Sequence, residues 1–219
     1  MKVCEIFQGF QGEGKTIGQN SIFLRLSGCT LNCGFCDTKY HTEGKVMTIP
    51  EVIEQILKYD SSNIVITGGE PLLWQDEIIQ LIKFLSEAEK NYSYTIETNG
   101  TIIPKQELVE LVELFSCSPK MASSGNELEK RMNYDALEAI RDSFDSIFKF
   151  VISDMADLQE AKFLVNQIGI RKSDVYLMKE GKTQEEQLDV EQLMDICKEE
   201  GFNFSPRMHI IFFNQKRGV

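Results

Sequence analysis

The chain has no apolar run near the length of about 20 residues that a membrane-spanning helix requires, and its first residues, Met1-Lys-Val-Cys-Glu-Ile-Phe, read as a strand rather than a targeting leader. No membrane partner is expected, and the expected setting is the cytoplasm. Cations are in deficit: 23 Lys and Arg face 34 Asp and Glu, for a net charge of −11. Surfaces that bind nucleic acid neutralise phosphates with clustered cations, so a nucleic-acid partner is not expected either. Most acidic residues fall on predicted helix faces, where solvation is their ordinary role. No Gly/Pro/Ser-rich linker divides the chain and no segment repeats. Residues 1–219 are therefore expected to form one domain, long enough for a sizeable core. Gly68-Gly69 is not followed by Gly-Lys-[Ser/Thr], which removes a P-loop reading.

Cysteine is sparse but unevenly placed. Of six cysteines, Cys4, Cys117 and Cys197 are scattered and read as buried apolar thiols. The other three stand together in Cys29-Thr-Leu-Asn-Cys33-Gly-Phe-Cys36. Three thiolates are one fewer than a closed zinc or iron–sulfur site uses. A four-iron cluster held here keeps one iron open to bind an outside molecule. Two readings compete. A disulfide framework belongs to small secreted chains. A structural zinc site from Cys29, Cys33, Cys36 and His41 is the other, although zinc ligands usually come in short-spaced pairs. With Phe35 before the last cysteine and Asp37 after it, the stretch resembles the cluster loop of the radical S-adenosylmethionine (SAM) superfamily. There the open iron chelates SAM, and one electron cleaves SAM to a 5′-deoxyadenosyl radical that abstracts hydrogen from a substrate.

β-rich apolar runs alternate with helical patterns along the chain. Strands are predicted at Ser21–Ser27, Asn63–Thr67, Tyr92–Glu97, Phe115–Ser118, Ile147–Ile152 and Val175–Met178. Helices are predicted at Thr48–Tyr59, Asp76–Glu89, Pro104–Leu114, Tyr134–Asp142, Met155–Ile168 and Glu185–Glu199. Met121–Met132 reads as the main interior loop, and Met208–Phe213 as a final apolar run. Such alternation implies right-handed βαβ units and a parallel sheet. Roughly six units are too few for a closed eight-stranded barrel and suit a partial barrel or a doubly wound sheet. Both place chemistry on the loops after the strands. Those loops hold the cysteines, Thr67-Gly-Gly-Glu-Pro71, Glu97-Thr-Asn-Gly-Thr101, Ser118-Pro-Lys120 and Lys179-Glu-Gly181.

Each segment has a physical use. Gly68-Gly69 lets backbone approach a ligand. Glu70 accepts from an ammonium group or caps the following helix. Asn99 and Ser118 suit carboxylate or ribose hydroxyls. Phe10-Gln-Gly-Glu-Gly14 fits a loop folded over a pocket. Arg25, between Leu24 and Leu26, points to the opposite face of its strand, where a charge needs a partner: an internal carboxylate, or a substrate carboxylate gripped by its fork. His209 serves either as a satisfied core histidine or in the site, and His41 reads as loop surface.

In order along nearly the whole chain, Phe10-Gln-Gly-Glu-Gly14, Phe23-Leu-Arg25-Leu, Gly28-Cys29 through Cys36-Asp37-Thr38-Lys-Tyr40, the Thr67, Glu97 and Ser118 segments, and Ser205-Pro-Arg-Met-His209 with Lys216-Arg-Gly-Val219 resemble the 7-carboxy-7-deazaguanine synthase family. One departure is Asn20, where many relatives have proline. The resemblance implies an α/β fold, an incomplete (β/α)6 partial TIM barrel with mostly parallel strands. It implies ring contraction of 6-carboxy-5,6,7,8-tetrahydropterin to 7-carboxy-7-deazaguanine and ammonia, in queuosine and deazapurine biosynthesis. A [4Fe-4S] cluster on Cys29, Cys33 and Cys36, SAM, and Mg²⁺ on Thr38 are the implied cofactors. SAM contacts fall on Phe35, Cys36, Asp37, Gly69, Glu70, Asn99, Ser118, Pro119, Lys120 and Met178-Lys179-Glu180-Gly181. The pterin falls on Phe10, Gln11, Gly12, Glu13, Arg25, Thr67, His209 and the carboxylate of Val219, with Arg25 and Glu13 joining the cysteines as catalytic residues. An external electron donor such as flavodoxin or ferredoxin and a homodimer are also implied. The alternatives are a small radical SAM activase that installs a glycyl radical on a partner protein, and a non-enzymatic redox or zinc-binding module.

Overall fold

The computed structural model describes residues 1–87, 90–214 and 216–218. Among them, nine strands form one sheet: β1 (Lys2–Phe10), β2 (Asn20–Leu26), β3 (Lys45–Val46), β4 (Asn63–Gly68), β5 (Ser93–Thr98), β6 (Leu114–Cys117), β7 (Ser146–Ile152), β8 (Val175–Lys179) and β9 (Asn203–Phe204). Their spatial order is β3-β1-β2-β4-β5-β6-β7-β8-β9. β1 runs antiparallel to β2 and β3, and every pairing from β2 to β9 is parallel. β2, β4, β5, β6, β7 and β8 are the six expected strands of a partial barrel. The sheet stays open, with β3 and β9 as its edges.

The helices are α1 (Ile49–Ile56), α2 (Gln75–Ser86), α3 (Gln106–Leu111), α4 (Leu128–Arg131), α5 (Tyr134–Arg141), α6 (Met155–Ile168), α7 (Gln184–Leu188), α8 (Glu191–Glu200) and α9 (Met208–Phe213). Local chemistry sets several of their ends. Thr48 and Glu51 form a reciprocal capping box at α1, with Pro50 in its first turn. Asp154 caps α6 by accepting from the amides of Ala156 and Asp157, and Gly169 ends that helix in a left-handed conformation at φ +75°.

Alternation along the strands gives the sheet two different faces. Ile22, Leu24, Leu26, Ile64, Ile66, Ile96, Phe115, Phe148, Phe150 and Leu177 join Ile78, Leu81 and Ile82 of α2, Leu137 and Ile140 of α5, and Leu158 and Leu164 of α6 in one continuous core. The intervening residues, among them Arg25, Thr67, Glu97, Ser116, Lys149 and Met178, line a cavity on the other face. The register brings Arg25 beside Thr67 and Glu97 beside Ser116.

Some boundaries differ from expectation. α3 stops at Leu111 because Val112 is buried and extended and leads into β6. The helix expected at Glu185–Glu199 is two helices, separated at Asp189-Val190. Before the break, the buried amide of Gln187 donates to the carbonyls of Lys179 and Gly181 at 3.0 and 3.3 Å. The final apolar run is α9, and the interior loop at 121–132 contains α4. The end of the helix expected at Asp76–Glu89 lies outside the described residues.

Candidate active site

The cysteine loop follows β2 directly and is moored to the ends of its neighbours. Asn99, after β5, donates from Nδ2 to Thr30 Oγ1 at 3.0 Å and to Cys29 Sγ at 3.7 Å. Asn126 donates to Cys33 Sγ at 3.3 Å, and the Leu31 amide to Cys29 Sγ at 3.5 Å. These donors suit sulfur that carries negative charge. Burial pushes the Cys29 and Cys36 thiols up, but metal coordination displaces the proton. The paired glycines have a packing cause: a Cβ on Gly69 would lie 2.3 Å from the Gly28 carbonyl oxygen and 2.7 Å from Cys29 Cβ, and one on Gly68 would lie 2.3 Å from the Leu26 carbonyl oxygen. Only glycine lets this turn press against the cluster loop.

Cys29, Cys33 and Cys36 are half-buried, free and gathered on one cavity of about 270 Å³. Among the described residues, no group of three or more His, Cys, Asp or Glu side chains is placed to hold a single metal ion. A tetrahedral zinc requires all its ligands within about 2.0–2.3 Å of one centre, whereas a four-iron cluster spreads its thiolates over separate irons. The three free thiols of the loop are the donor set a three-cysteine cluster takes, and among the described residues His41 is not grouped with them around a single metal position. His41 is half-buried rather than surface, and its Nδ1 is buried without a partner among the described residues.

The far part of the cavity is charged. Arg25 Nε donates to Glu5 at 2.8 Å, while no described protein acceptor engages its two terminal nitrogens. It thus has the internal carboxylate partner and still presents part of its fork to the cavity. Glu13 accepts from Lys149 Nζ at 2.9 Å and from Arg207 Nε at 3.1 Å. Burial alone would raise the Glu13 pKa; Lys149 and Arg207 reverse the sign and hold the carboxyl well below the usual range. Arg207 also pairs with Asp37, and His209 Nε2 lies 3.9 Å from both Glu13 and Asp37. Gly12 makes room for that histidine, since a Cβ there would lie 2.6 Å from His209 Nδ1. Beside the lining residue Tyr40, the Arg217 guanidinium stacks 4.1 Å from the ring centroid and donates to Glu5 and Glu43 at 2.9 and 3.1 Å.

Most of the expected site residues meet on this cavity: Phe10, Gln11, Gly12, Glu13, Arg25, the three cysteines, Phe35, Asp37, Thr38, Thr67, Gly69, Asn99, Ser118, Lys120, Met178 and His209. Glu70 does not. It is fully buried, accepting from the Leu72 amide at 3.0 Å, the Thr98 hydroxyl at 2.8 Å and the Asn99 amide at 2.8 Å. The expected cofactor contact is replaced by the capping role and by a tie between the β4 and β5 ends. Pro119, Lys179, Glu180 and Gly181 also lie off the lining. Pro119 is buried, and the Gly181 carbonyl accepts from Arg207 at 3.1 Å, so this segment supports the wall from behind. Val219 lies outside the described residues.

Lys149, Glu97 and Arg207 join the lining without having been singled out as site residues. Lys149 carries the same signal as Arg25: one charge within an apolar strand, Ile147-Phe-Lys-Phe-Val151. Arg207 stands two residues before His209, within the Ser205-Pro-Arg-Met-His209 segment.

Comparison with known proteins agrees with this geometry. The sequence model of the Radical SAM superfamily matches residues 24–153. The chain is 34% identical to the 7-carboxy-7-deazaguanine synthase of Halobacterium salinarum, over 98% of this chain and 91% of that one. It is 32% identical to the enzyme of that name from Pyrobaculum aerophilum, over 100% and 97%. The crystal structure of QueE from Escherichia coli superposes with a TM-score of 0.71 at 22% identity, covering 95% of this chain and 94% of that one.

Proposed function

Because the chain belongs to the 7-carboxy-7-deazaguanine synthase family of the radical SAM superfamily, we propose that it contracts 6-carboxy-5,6,7,8-tetrahydropterin to 7-carboxy-7-deazaguanine with loss of ammonia, within queuosine and deazapurine biosynthesis. The conversion is redox-neutral: all substrate atoms pass to product or ammonia, so the hydrogen removed at C6 is returned. The observation that carries the reading is that one cavity is lined both by the three-cysteine loop and by Gln11, Glu13, Arg25, Thr67 and His209. When bound on Cys29, Cys33 and Cys36, a [4Fe-4S] cluster with SAM supplies one-electron cleavage chemistry and hydrogen abstraction. Phe35, Gly69, Asn99, Ser118, Lys120 and Met178 bound the SAM side. On the pterin side, the free part of the Arg25 fork takes the substrate carboxylate, and Gln11, Glu13 and Thr67 take the polar edge of the ring. His209 and the C-terminal segment keep water out. Thr38, whose hydroxyl donates to Asp37 at 3.1 Å, would hold Mg²⁺ through a hard oxygen; Thr38→Ala is expected to change the Mg²⁺ response of turnover.

The continuous sheet supports reading residues 1–219 as a single radical SAM domain. An external donor such as flavodoxin or ferredoxin, a homodimer and a cytoplasmic setting follow from the family reading. Among the described residues no helix is long and apolar enough to cross a membrane. A small cavity flanked by the 11–14 loop and the C-terminal segment suits a compact heterocycle better than a protein segment, which disfavours the activase reading. The test is anaerobic incubation with SAM, a reductant and the pterin, followed by mass analysis. The expected result is the deazaguanine acid; SAM cleavage without it would reject the substrate.

A further inference from the structure

Lys149 is the one charged side chain of β7, and none of the roles above uses it. The residue is 3% exposed, and its Nζ lies 2.9 Å from Glu13 Oε2 and 3.3 Å from Glu97 Oε1. Gln11 Nε2 donates to the same Glu97 oxygen at 3.1 Å. Gly14 belongs to this arrangement. It adopts φ +73°, and a Cβ there would come within 2.7 Å of Ile147 Cδ1 and 3.3 Å of Lys149 Cδ, so glycine lets the loop after β1 close onto the lysine stem. Among the described residues no donor reaches Glu97 Oε2, and Glu97 lines the cavity. One oxygen is tied down and the other has no donor among the described residues.

Two carboxylates in one largely buried space repel, and commonly one of them takes up a proton. A cation fixed between them prevents this. We propose that Lys149 is a positioning residue of the heterocycle site, clamping Glu13 and Glu97 as paired anionic acceptors for the ring N–H and amino groups of a pterin-class ligand. The inference rests on the pterin reading of the cavity. A protonated carboxyl would turn a hydroxyl toward those N–H groups and leave a buried donor unmatched. Burial by itself would lower the Lys149 pKa, but Glu13 and Glu97 outweigh it and keep the ammonium charged. The other charged or titratable groups around the pair are Arg25 with its partner Glu5, Arg207 with Asp37, His209, Lys120 after β6, and Tyr176 beside Lys149 on β8. Arg207 also serves Glu13, whereas Glu97 has Arg25 only at longer range. Glu97 is therefore the carboxylate that depends on Lys149.

The test is anaerobic titration calorimetry of the reconstituted protein with 6-carboxy-5,6,7,8-tetrahydropterin and with 7-carboxy-7-deazaguanine, across the neutral pH range in buffers of different ionisation enthalpy. Wild-type affinity is expected to be flat, with no proton moved. Lys149→Met keeps the bulk of the stem and removes the charge. It is expected to weaken binding by roughly 10- to 100-fold at the acid end, to regain up to about tenfold per pH unit as pH rises, and to release about one proton on binding. Adding Glu97→Gln to Lys149→Met is expected to abolish that pH dependence. A Lys149→Met protein with the wild-type pH profile, at whatever affinity, overturns the clamp. So does proton release by the wild type, a result that stands even if the variant does not fold. Failure of the wild type to bind either ligand overturns the pterin reading instead, which separates the two failures.

Discussion

On β2, Leu24 and Leu26 face the helices with no exposed surface, while Arg25 between them faces the cavity and meets Glu5. β7 repeats the arrangement: Phe148 and Phe150 lie in the core, and Lys149 lies between Glu13 and Glu97. The two sides of one sheet are thus stabilised by different physics. The helix-facing side relies on non-directional burial, at about 1.5–3 kcal/mol for each large apolar side chain, and has no chemistry to protect. The cavity side buries charge, which is unfavourable unless each ion is paired and hydrogen-bonded. Its residues are fixed one by one by specific partners. Substitutions on the first side are therefore expected to read out as stability, and on the second as binding and catalysis.

The largest effect is expected at the cluster loop. Cys33→Ala should abolish SAM cleavage and bring bound iron well below the wild-type level, with far-UV circular dichroism unchanged because the loop lies outside the core. Retained cleavage would remove the assigned ligand. On the helix side, Phe150→Ala should cost about 3–5 kcal/mol in denaturant unfolding, while pterin affinity at a temperature where the variant is folded stays within about twofold of wild type. A selective loss of affinity at full stability would collapse the distinction between the faces. On the cavity side, Arg25→Ala should weaken pterin binding by roughly 10- to 100-fold, as expected for losing a charge-assisted hydrogen bond, and leave uncoupled SAM cleavage much less affected. Equal loss of both would contradict its role.

The helix-facing half was the more legible in the sequence. Its strands and helices repeat one period each, and neighbours in sequence pack as neighbours in space, so β2, β4, β5, β6, β7 and β8 with their helices follow from pattern alone. Less visible were β3 and β9, which at two residues each are too short to show a period, and the break between α7 and α8, beside a buried glutamine amide. The cavity half was legible only in part. Like Arg25, Lys149 is a lone charge in a strand whose apolar residues lie on both faces, a signal that does not by itself separate a ligand-facing cation from an internal ion pair. Its partner Glu13 is 136 positions away, and no local pattern encodes such a pairing. Glu70 shows the converse: a motif residue beside a glycine pair reads as a ligand contact until its acceptors are found occupied by Leu72, Thr98 and Asn99.

The smallest effect tests whether the cavity charges also hold the fold together. Glu13 has a folded-state pKa below its unfolded value of about 4.3, because Lys149 and Arg207 outweigh its burial. A carboxyl of this kind contributes stability that is fully present above the unfolded pKa and is lost as pH falls through the folded one. Glu13→Gln keeps an acceptor oxygen near both cations but removes the charge. It should therefore destabilise the protein by only about 1–2 kcal/mol at neutral pH. Urea unfolding of both proteins from neutral to acid pH should show this gap constant down to about pH 5 and closing below it, since the wild type alone loses the ionised carboxylate. A gap that keeps its size into strong acid would mean that Glu13 acts through its shape. The cavity face would then be stabilised as the helix face is, by packing, and the contrast between the two would reduce to composition.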